Sequence, residues 1–493
     1  MRPVIVGIAL TAALALTGCA ARRGGGDASR VAYSSYLRGL MLERSSRLPE
    51  ALQAYQAALA HDRQSPFLRV RIGATYVKLG KMDRALQEFS KALALKPDHP
   101  DALRWLGMLN AAQGRTADAS ASYERLLQVE PGDTFVMSTL ADLYVLQGRL
   151  PQAIEMYERL VVEEGSTSQL HFNLGVLYGR VGRLTEALAQ LSRAFELSPD
   201  SLDVRVALGL TYELHEEYAK AAAHYEDAIA LDPLNPRVYY HAARAHFSAK
   251  RYTAAAVNYE AVMDLTPQDT EAVMGLVRVR VAQRRFDQAV ELLGEKLQAL
   301  GPLPELYVAL GIVYREAKQP EEALRAFERA VDRKPDYAQA HFYLAAQFDQ
   351  LQRKPEARRA LRRTLELDPN HPDAMNYLAY MDAEAGVNLP EAKALIQRAV
   401  EMDPENGAYL DSLGWVYYKM GQLDEAVAHL ERAAELLETD PVIFDHLGEV
   451  YLKRRDLEQA KRNWERALQL DPGQTVIEEK LERLFTQPVG ISP

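Results

Sequence analysis

Alanine recurs every 34 residues along this chain. In frames counted from residue 32 it holds position 20 at Ala51, Ala85, Ala119, Ala153, Ala187, Ala221, Ala255, Ala289, Ala323 and Ala357, and, after one extra residue, at Ala392, Ala426 and Ala460. A period of this size marks a stack of supersecondary units, each too small to bury its own apolar face and each completed by its neighbours. A stack of that kind has a long surface for holding other molecules, and nothing in the period itself points to catalysis.

The remaining fixed positions explain the alanine. In the frame 304–337, Tyr307, Leu310, Gly311 and Tyr314 recur at helical spacing, Ala323, Phe327 and Ala330 follow at i, i+4 and i+7, and Pro335 closes the unit. The frame therefore reads as two amphipathic helices and a stop. Position 8 is small in twelve frames (Gly39, Gly73, Gly107, Ala141, Gly175, Gly209, Ala243, Gly311, Ala345, Ala379, Gly414 and Gly448) and large only at Val277. A small residue there lets the first helix approach the second at its position-20 alanine. Position 24 supplies a large group, as in Tyr55, Phe89, Tyr123, Tyr157, Tyr225, Tyr259, Phe327 and Trp464. Proline ends nine second helices, from Pro97 to Pro472, because it lacks an N–H donor and disfavours helix in the residue before it.

This pattern resembles the tetratricopeptide repeat family from residue 32 to residue 474, thirteen frames in unbroken phase. The resemblance implies an all-α, right-handed superhelical solenoid of about thirteen helix–turn–helix repeats. Residues 475–486 set Val476, Ile477, Leu481 and Leu484 on one face and charged groups on the other, which predicts a capping helix over the last repeat. The tail 487–493 is expected to be disordered. The eighth frame, 270–303, departs from the pattern at Val277, Arg280, Leu293, Lys296 and Gly301, and a hinge between blocks of seven and five repeats is expected there, with ordinary sequence drift as the alternative.

The first residues have a separate logic. Arg2 precedes an apolar run from Val4 to Leu16, too short to span a bilayer comfortably, with the charged start and small-residue end of a secretory signal peptide. Leu16-Thr17-Gly18-Cys19 resembles the lipobox of bacterial lipoproteins, which implies cleavage after residue 18 and lipidation of Cys19, the single cysteine of the chain. Ala20 and Ala21 lack the aspartate associated with inner-membrane retention, so in a diderm host the resemblance implies an outer-membrane lipoprotein facing the periplasm. Residues 19–31, with Gly24, Gly25 and Gly26, read as the lipidated cysteine and a flexible tether.

The charge balance narrows the partners. The full sequence has a formal net charge of −10, an acidic excess that argues against general nucleic-acid binding, for which a basic face is needed to displace counterions. Arg358, Arg359, Arg362 and Arg363 form a local basic stripe in the tenth repeat, near Arg353, Lys354, Arg325 and Arg329. It reads first as a solvated face paired with glutamates, and second as a contact for anionic glycan or lipid. No zinc-binding HExxH, phosphate-binding GxxxxGK[ST], GxSxG or GxGxxG occurs, and the histidines are scattered, so neither an enzyme nor a metal or other cofactor is expected.

In the family the first helices line a concave groove, and positions 2, 5, 6, 9, 12 and 13 point into it, which implies side chains free of packing duty. The last three repeats carry aromatic and hydrogen-bonding groups there: Asn376, Tyr377 and Tyr380, then Asp411, Ser412, Trp415 and Tyr418, then Asp445, His446 and Glu449. Rigid rings with polar neighbours suit an extended peptide or a sugar chain, and this is the expected partner site, with inter-repeat packing as the competing reading. The lysine and asparagine set of the two-carboxylate clamp of co-chaperones is missing around Asn173.

Two functions stay open. One is a lipid-anchored scaffold of the cell envelope that docks other envelope proteins or extended peptides, resembling in layout the pilotin, outer-membrane assembly and polysaccharide-export lipoproteins. The other is a binding module for polysaccharide or peptidoglycan.

Overall fold

The computed structural model describes residues 26–486, and every regular element among them is an α-helix. The expected signal peptide, Cys19 and the tail 487–493 lie outside the described residues. Among those residues, no helix is long and apolar enough to cross a membrane.

The frames read from the alanines are the frames of the structure. From the second repeat onward a helix starts at position 1 and another at position 17, for example Pro66–Lys78 with Met82–Leu95 and Gly407–Lys419 with Leu423–Leu436. The residue before each frame sets the start. Ser65, Asp133, Thr167, Ser201, Asp269 and Asn406 each accept a hydrogen bond from the backbone N–H three residues on, which satisfies one of the donors a helix start leaves open. At the other end, Lys96, Ser198 and Lys334 leave the helix immediately before Pro97, Pro199 and Pro335.

The turn between the two helices rests on position 15, where the backbone is left-handed. Glycine holds it at Gly80, Gly114, Gly148, Gly182 and Gly421, whereas Ser46, Glu216, Lys250, Arg284, Lys318, Gln352 and Arg455 adopt the same conformation without glycine's freedom. The extra residue of the eleventh repeat is absorbed in this turn, which uses two left-handed residues, Gly386 (φ 66°) and Asn388 (φ 52°).

The first helix is longer than expected and runs from Gly26 to Arg44, so residues 26–31 belong to it and not to a tether. Ala28-Ser29-Arg30-Val31 contains no breaker, and extending an existing helix orders one residue for each hydrogen bond gained.

All thirteen position-20 alanines are buried, as the period requires. The space cleared by the small position 8 is filled chiefly by the position-24 side chain and not by the alanine. A Cβ on Gly107 would lie 2.5 Å from the Tyr123 ring, and one on Gly39 equally close to Tyr55. Where position 24 is leucine, the second helix comes nearer: a Cβ on Gly175 would meet both Leu191 and the carbonyl of Ala187, at 3.2 Å. A methyl at position 8 goes with a redirected ring. With glycine there, Tyr55 and Tyr225 donate to position 12, to Glu43 at 2.5 Å and Glu213 at 2.7 Å; beside Ala141, Tyr157 donates instead to position 9, Asp142, at 2.8 Å.

Successive repeats are joined by a recurring rung. A position-11 tyrosine reaches position 25 of the preceding repeat: Tyr144 donates to Glu124 at 2.7 Å, Tyr178 to Glu158, and Tyr451 to Glu431 at 2.6 Å, while Gln56 and Gln397 donate to Tyr76 and Tyr417. Arg149 and Arg183 lie over the rings of Tyr144 and Tyr178 at 4.3 and 4.6 Å.

The helices group into two compact units, divided between Ala245 and His246. The division falls in the seventh repeat. The eighth repeat keeps both helices, Thr270–Ala282 and Phe286–Ala299, with Val277 and Leu293 buried, and the ring of Tyr259 occupies the space over Gly275. Gly275, at position 6, thus makes room for a ring of the preceding repeat, whereas the position-8 glycines face the position-24 side chain of their own repeat.

Candidate functional site

The first helices of repeats 11 to 13 are Pro372–Ala385, Gly407–Lys419 and Pro441–Lys453, all in the second unit, and neighbouring members of this set touch. Of the ten predicted residues they bring Tyr380, Asp411, Trp415, Tyr418 and His446 together, with Glu449 beside Tyr418, whereas Tyr377 is directed to the tenth repeat. The middle helix is buried along most of its length, including Asp411, Ser412 and Trp415.

Trp415 is only 7 % exposed. Its ring stacks on His446 with centroids 4.0 Å apart and on Tyr418 at 4.7 Å, and its Nε1 donates to Glu384 at 2.5 Å. Lys419 sits 4.7 Å from the same ring and 3.5 Å from Glu384. His446 is buried with Nδ1 2.8 Å from Oδ1 of Asp411. A carboxylate accepts, so Nδ1 carries the proton and Nε2 is the acceptor in the neutral ring.

Tyr380 lies 6.3 Å from His446, tilted and half-buried; burial and the carboxylates of Glu384, Asp411 and Asp445 push its hydroxyl up to about 12. Tyr377 donates to Asp349 of the tenth repeat at 2.7 Å, and burial first, then that bond, raises its pKa. Lys453 lies 4.7 Å over the Tyr418 ring. Asp445 accepts from Trp464 at 2.9 Å and from Lys480 at 2.6 Å, and Glu449 pairs with the same lysine at 2.8 Å. Oδ1 of Asn376 is buried without a hydrogen-bond partner.

The expectation that these positions are free of packing duty therefore fails for Asp411, Ser412, Trp415 and His446. The reason is geometric: position 6 of one repeat lies over position 5 of the repeat before it, so His446 covers Asp411 and, in the same register, Lys480 of the capping helix covers Asp445. Asn376, Tyr377, Tyr380, Tyr418, Asp445 and Glu449 stay half-buried at the rim. Glu384, Lys419, Asp349 and Lys480, which the sequence reading did not single out, complete the cluster. The constant offset of 35 residues between paired acid and base, 411 to 446 and 445 to 480, was the available signal.

The capping helix runs from Thr475 to Thr486, as expected, and buries Ile477. With Lys480 in the position-6 role it acts as the first half of a further repeat.

The arginine stripe is largely satisfied within the chain. Arg358 Nε lies 2.7 Å from the buried carboxylate of Asp382, Arg362 pairs with Glu391 at 3.1 Å, and Arg363 with Glu366 at 2.9 Å. Among the described residues, no group of three or more histidine, cysteine, aspartate or glutamate side chains is placed to hold a metal ion.

Models of the tetratricopeptide repeat match residues 10–67, 70–134, 206–270, 308–372 and 347–386 in one version, 166–233 in a second, 110–171 and 247–295 in a third, and 407–440 and 441–474 in a fourth. The chain belongs to the tetratricopeptide repeat family, whose arrays are scaffolds that bind other proteins or peptides and are generally not enzymes. No curated protein matches the sequence. Solved structures similar to it include the Cut9–Hcn1 hetero-tetramer of the APC/C (13% identity, 96% of this chain and 99% of that one, TM-score 0.43). Yeast Tom70 (16%, 92% and 99%, 0.38) and a tetratricopeptide repeat protein from Parabacteroides merdae (16%, 50% and 98%, 0.36) are others.

Proposed function

We propose that this chain is a lipid-anchored scaffold of the bacterial cell envelope, held by Cys19 at the outer membrane and facing the periplasm, which docks partner proteins in an assembly or secretion system of the pilus, outer-membrane or polysaccharide-export type. The observation that carries the docking role is the rim of repeats 11 to 13. Tyr380 and Tyr418 are half-buried beside the Trp415–His446 stack, Tyr377 is half-buried against Asp349, and Asn376 keeps an unused buried acceptor. Rings already held in place lose little freedom when a partner covers them, which favours an extended peptide segment.

The glycan reading is weakened, because the ring of Trp415 is covered by this chain's own His446 and Tyr418 and three of the four stripe arginines, Arg358, Arg362 and Arg363, are paired within the fold.

The docking role is tested with Tyr380→Ala combined with Asn376→Ala, since Trp415→Ala would open a cavity in the floor. Crosslinking in intact cells to a partner seen with the parent chain should disappear with the double variant while helicity is kept; undiminished crosslinking would reject the site. The anchor is tested separately by mass spectrometry of the mature amino terminus, where an unacylated Cys19 would reject it.

A further inference from the structure

Arginines lie over rings at the edge where the two helices of a repeat turn. In repeats 4, 5 and 10 the position-16 side chain covers the position-11 ring of its own repeat: Arg149 over Tyr144 at 4.3 Å, Arg183 over Tyr178 at 4.6 Å and Arg353 over Phe348 at 4.5 Å. Arg149 also pairs with Glu124, the position-25 carboxylate of the repeat before, at 3.2 Å. A ring face and a carboxylate together suit a guanidinium, whose plane stacks on the one while its N–H fork binds the other.

The ninth repeat keeps the ring and lacks the arginine. Tyr314 holds position 11, but position 16 is Gln319, and position 25 of the eighth repeat is Gly294, over which a Cβ would meet nothing within 4 Å. With both partners missing, no cation among the described residues covers the half-buried Tyr314 ring, and its hydroxyl makes no hydrogen bond with them. A cleft of about 270 Å³ opens there between the two repeats, walled by Phe286, Val290 and Tyr314, bordered by Gln319 and carrying the side chains of Asp287 and Glu291. None of these residues holds one of the groove positions 2, 5, 6, 9, 12 and 13.

Charge and size together select the occupant. Asp287 and Glu291 stand one turn apart on the helix Phe286–Ala299, and neither side chain makes an ion pair or hydrogen bond with any described residue. Two unpaired carboxylates beside a bare aromatic face call for a cation, and a planar one uses both features at once, which favours arginine over lysine. Clefts that take a whole drug-sized ligand have roughly 300–1,000 Å³; this smaller one suits a single side chain.

We propose that the cleft between repeats 8 and 9 is a socket for an arginine side chain of a partner protein, its guanidinium stacked on Tyr314 and paired with Asp287 and Glu291. The partner's arginine takes the role that the chain's own position-16 arginine has in repeats 4, 5 and 10. The inference rests on the scaffold reading but uses no residue of repeats 11 to 13, so either surface can fail alone.

The test uses the full chain with Cys19→Ser and a short fluorescent peptide of glycine and serine with one central arginine. Fluorescence anisotropy should show this peptide binding at least about tenfold more tightly than the same peptide with citrulline, which keeps the shape and loses the charge. Gln319→Arg should abolish the difference by filling the socket from within, and Asp287→Asn with Glu291→Gln should abolish it by removing the carboxylates. Neither variant should lower the thermal transition, because all three side chains are exposed. Equal binding of the citrulline peptide, or arginine-peptide binding that Gln319→Arg leaves unchanged, would overturn the proposal. So would methylguanidinium binding as tightly as the peptide, which would assign the cleft to a free small cation, or dimers in sedimentation that Gln319→Arg dissolves, which would assign it to a second copy of the chain.

Discussion

The ring of Tyr225 fills the place where a Cβ of Gly209 would be: that atom would lie 2.5 Å from Cε1 of the tyrosine. The ring is itself fully buried and its hydroxyl donates to Glu213 at 2.7 Å, so it has little room to retreat. Gly209→Ala should therefore destabilise the first unit by about 1–3 kcal/mol through overpacking, outweighing the roughly 1 kcal/mol that alanine gains over glycine inside a helix. Gly179→Ala, also inside a helix but facing open space, should stabilise by up to about 1 kcal/mol. Urea unfolding of both variants measures the contrast; equal effects would show that the ring and not the glycine is adaptable.

The left-handed turn residue gives a second prediction. Lys318 sits at φ 58°, a conformation that costs a side-chain-bearing residue about 1–2 kcal/mol, part of which glycine returns through its freer unfolded chain. Lys318→Gly should raise the stability of the second unit by about 0.5–1 kcal/mol, whereas Gly182→Ala should lower that of the first by a similar amount. Shifts in the denaturation midpoint with these signs are expected.

The capping helix is pinned by one lysine. Lys480 is shared by Asp445 and Glu449, and these carboxylates raise its pKa against the opposing effect of burial. Lys480→Met keeps the aliphatic stem and removes the charge, and should weaken the cap by about 1–2 kcal/mol, less than for a fully buried pair because all three groups are partly solvated. Faster amide exchange confined to residues 475–484 and the thirteenth repeat is the expected signature.

Acid should loosen the array before its carboxylates titrate. Burial holds His99, His224 and His429 below the ordinary value of 6.5, against Asp101, Asp227 and Glu425 respectively, which pull them upward. A histidine depressed in the folded state stays neutral there while the unfolded chain takes up the proton. Its contribution is complete above about 6.5 and is lost as the pH falls from there toward the folded value. His224→Gln, beside the stacked ring of Tyr212, should flatten the fall in melting temperature of the first unit below that pH; an unchanged slope would assign it to other groups.

The repeat frame, the helix count from the second repeat on, the caps at the prolines and the capping helix were legible because each depends on residues within one 34-residue unit, where helical spacing and small side chains leave one arrangement open. Tertiary packing settled the rest. Trp415 and His446 both occupy positions that the frame assigns to a free surface, and only the placement of one repeat over the next shows that they cover each other. Gly275 lies under the ring of Tyr259, a contact invisible without knowing which ring arrives from the neighbouring repeat. Local sequence thus determined the units and their phase; the contacts between units, which join residues of different frames, decided which side chains are buried floor and which remain for a partner.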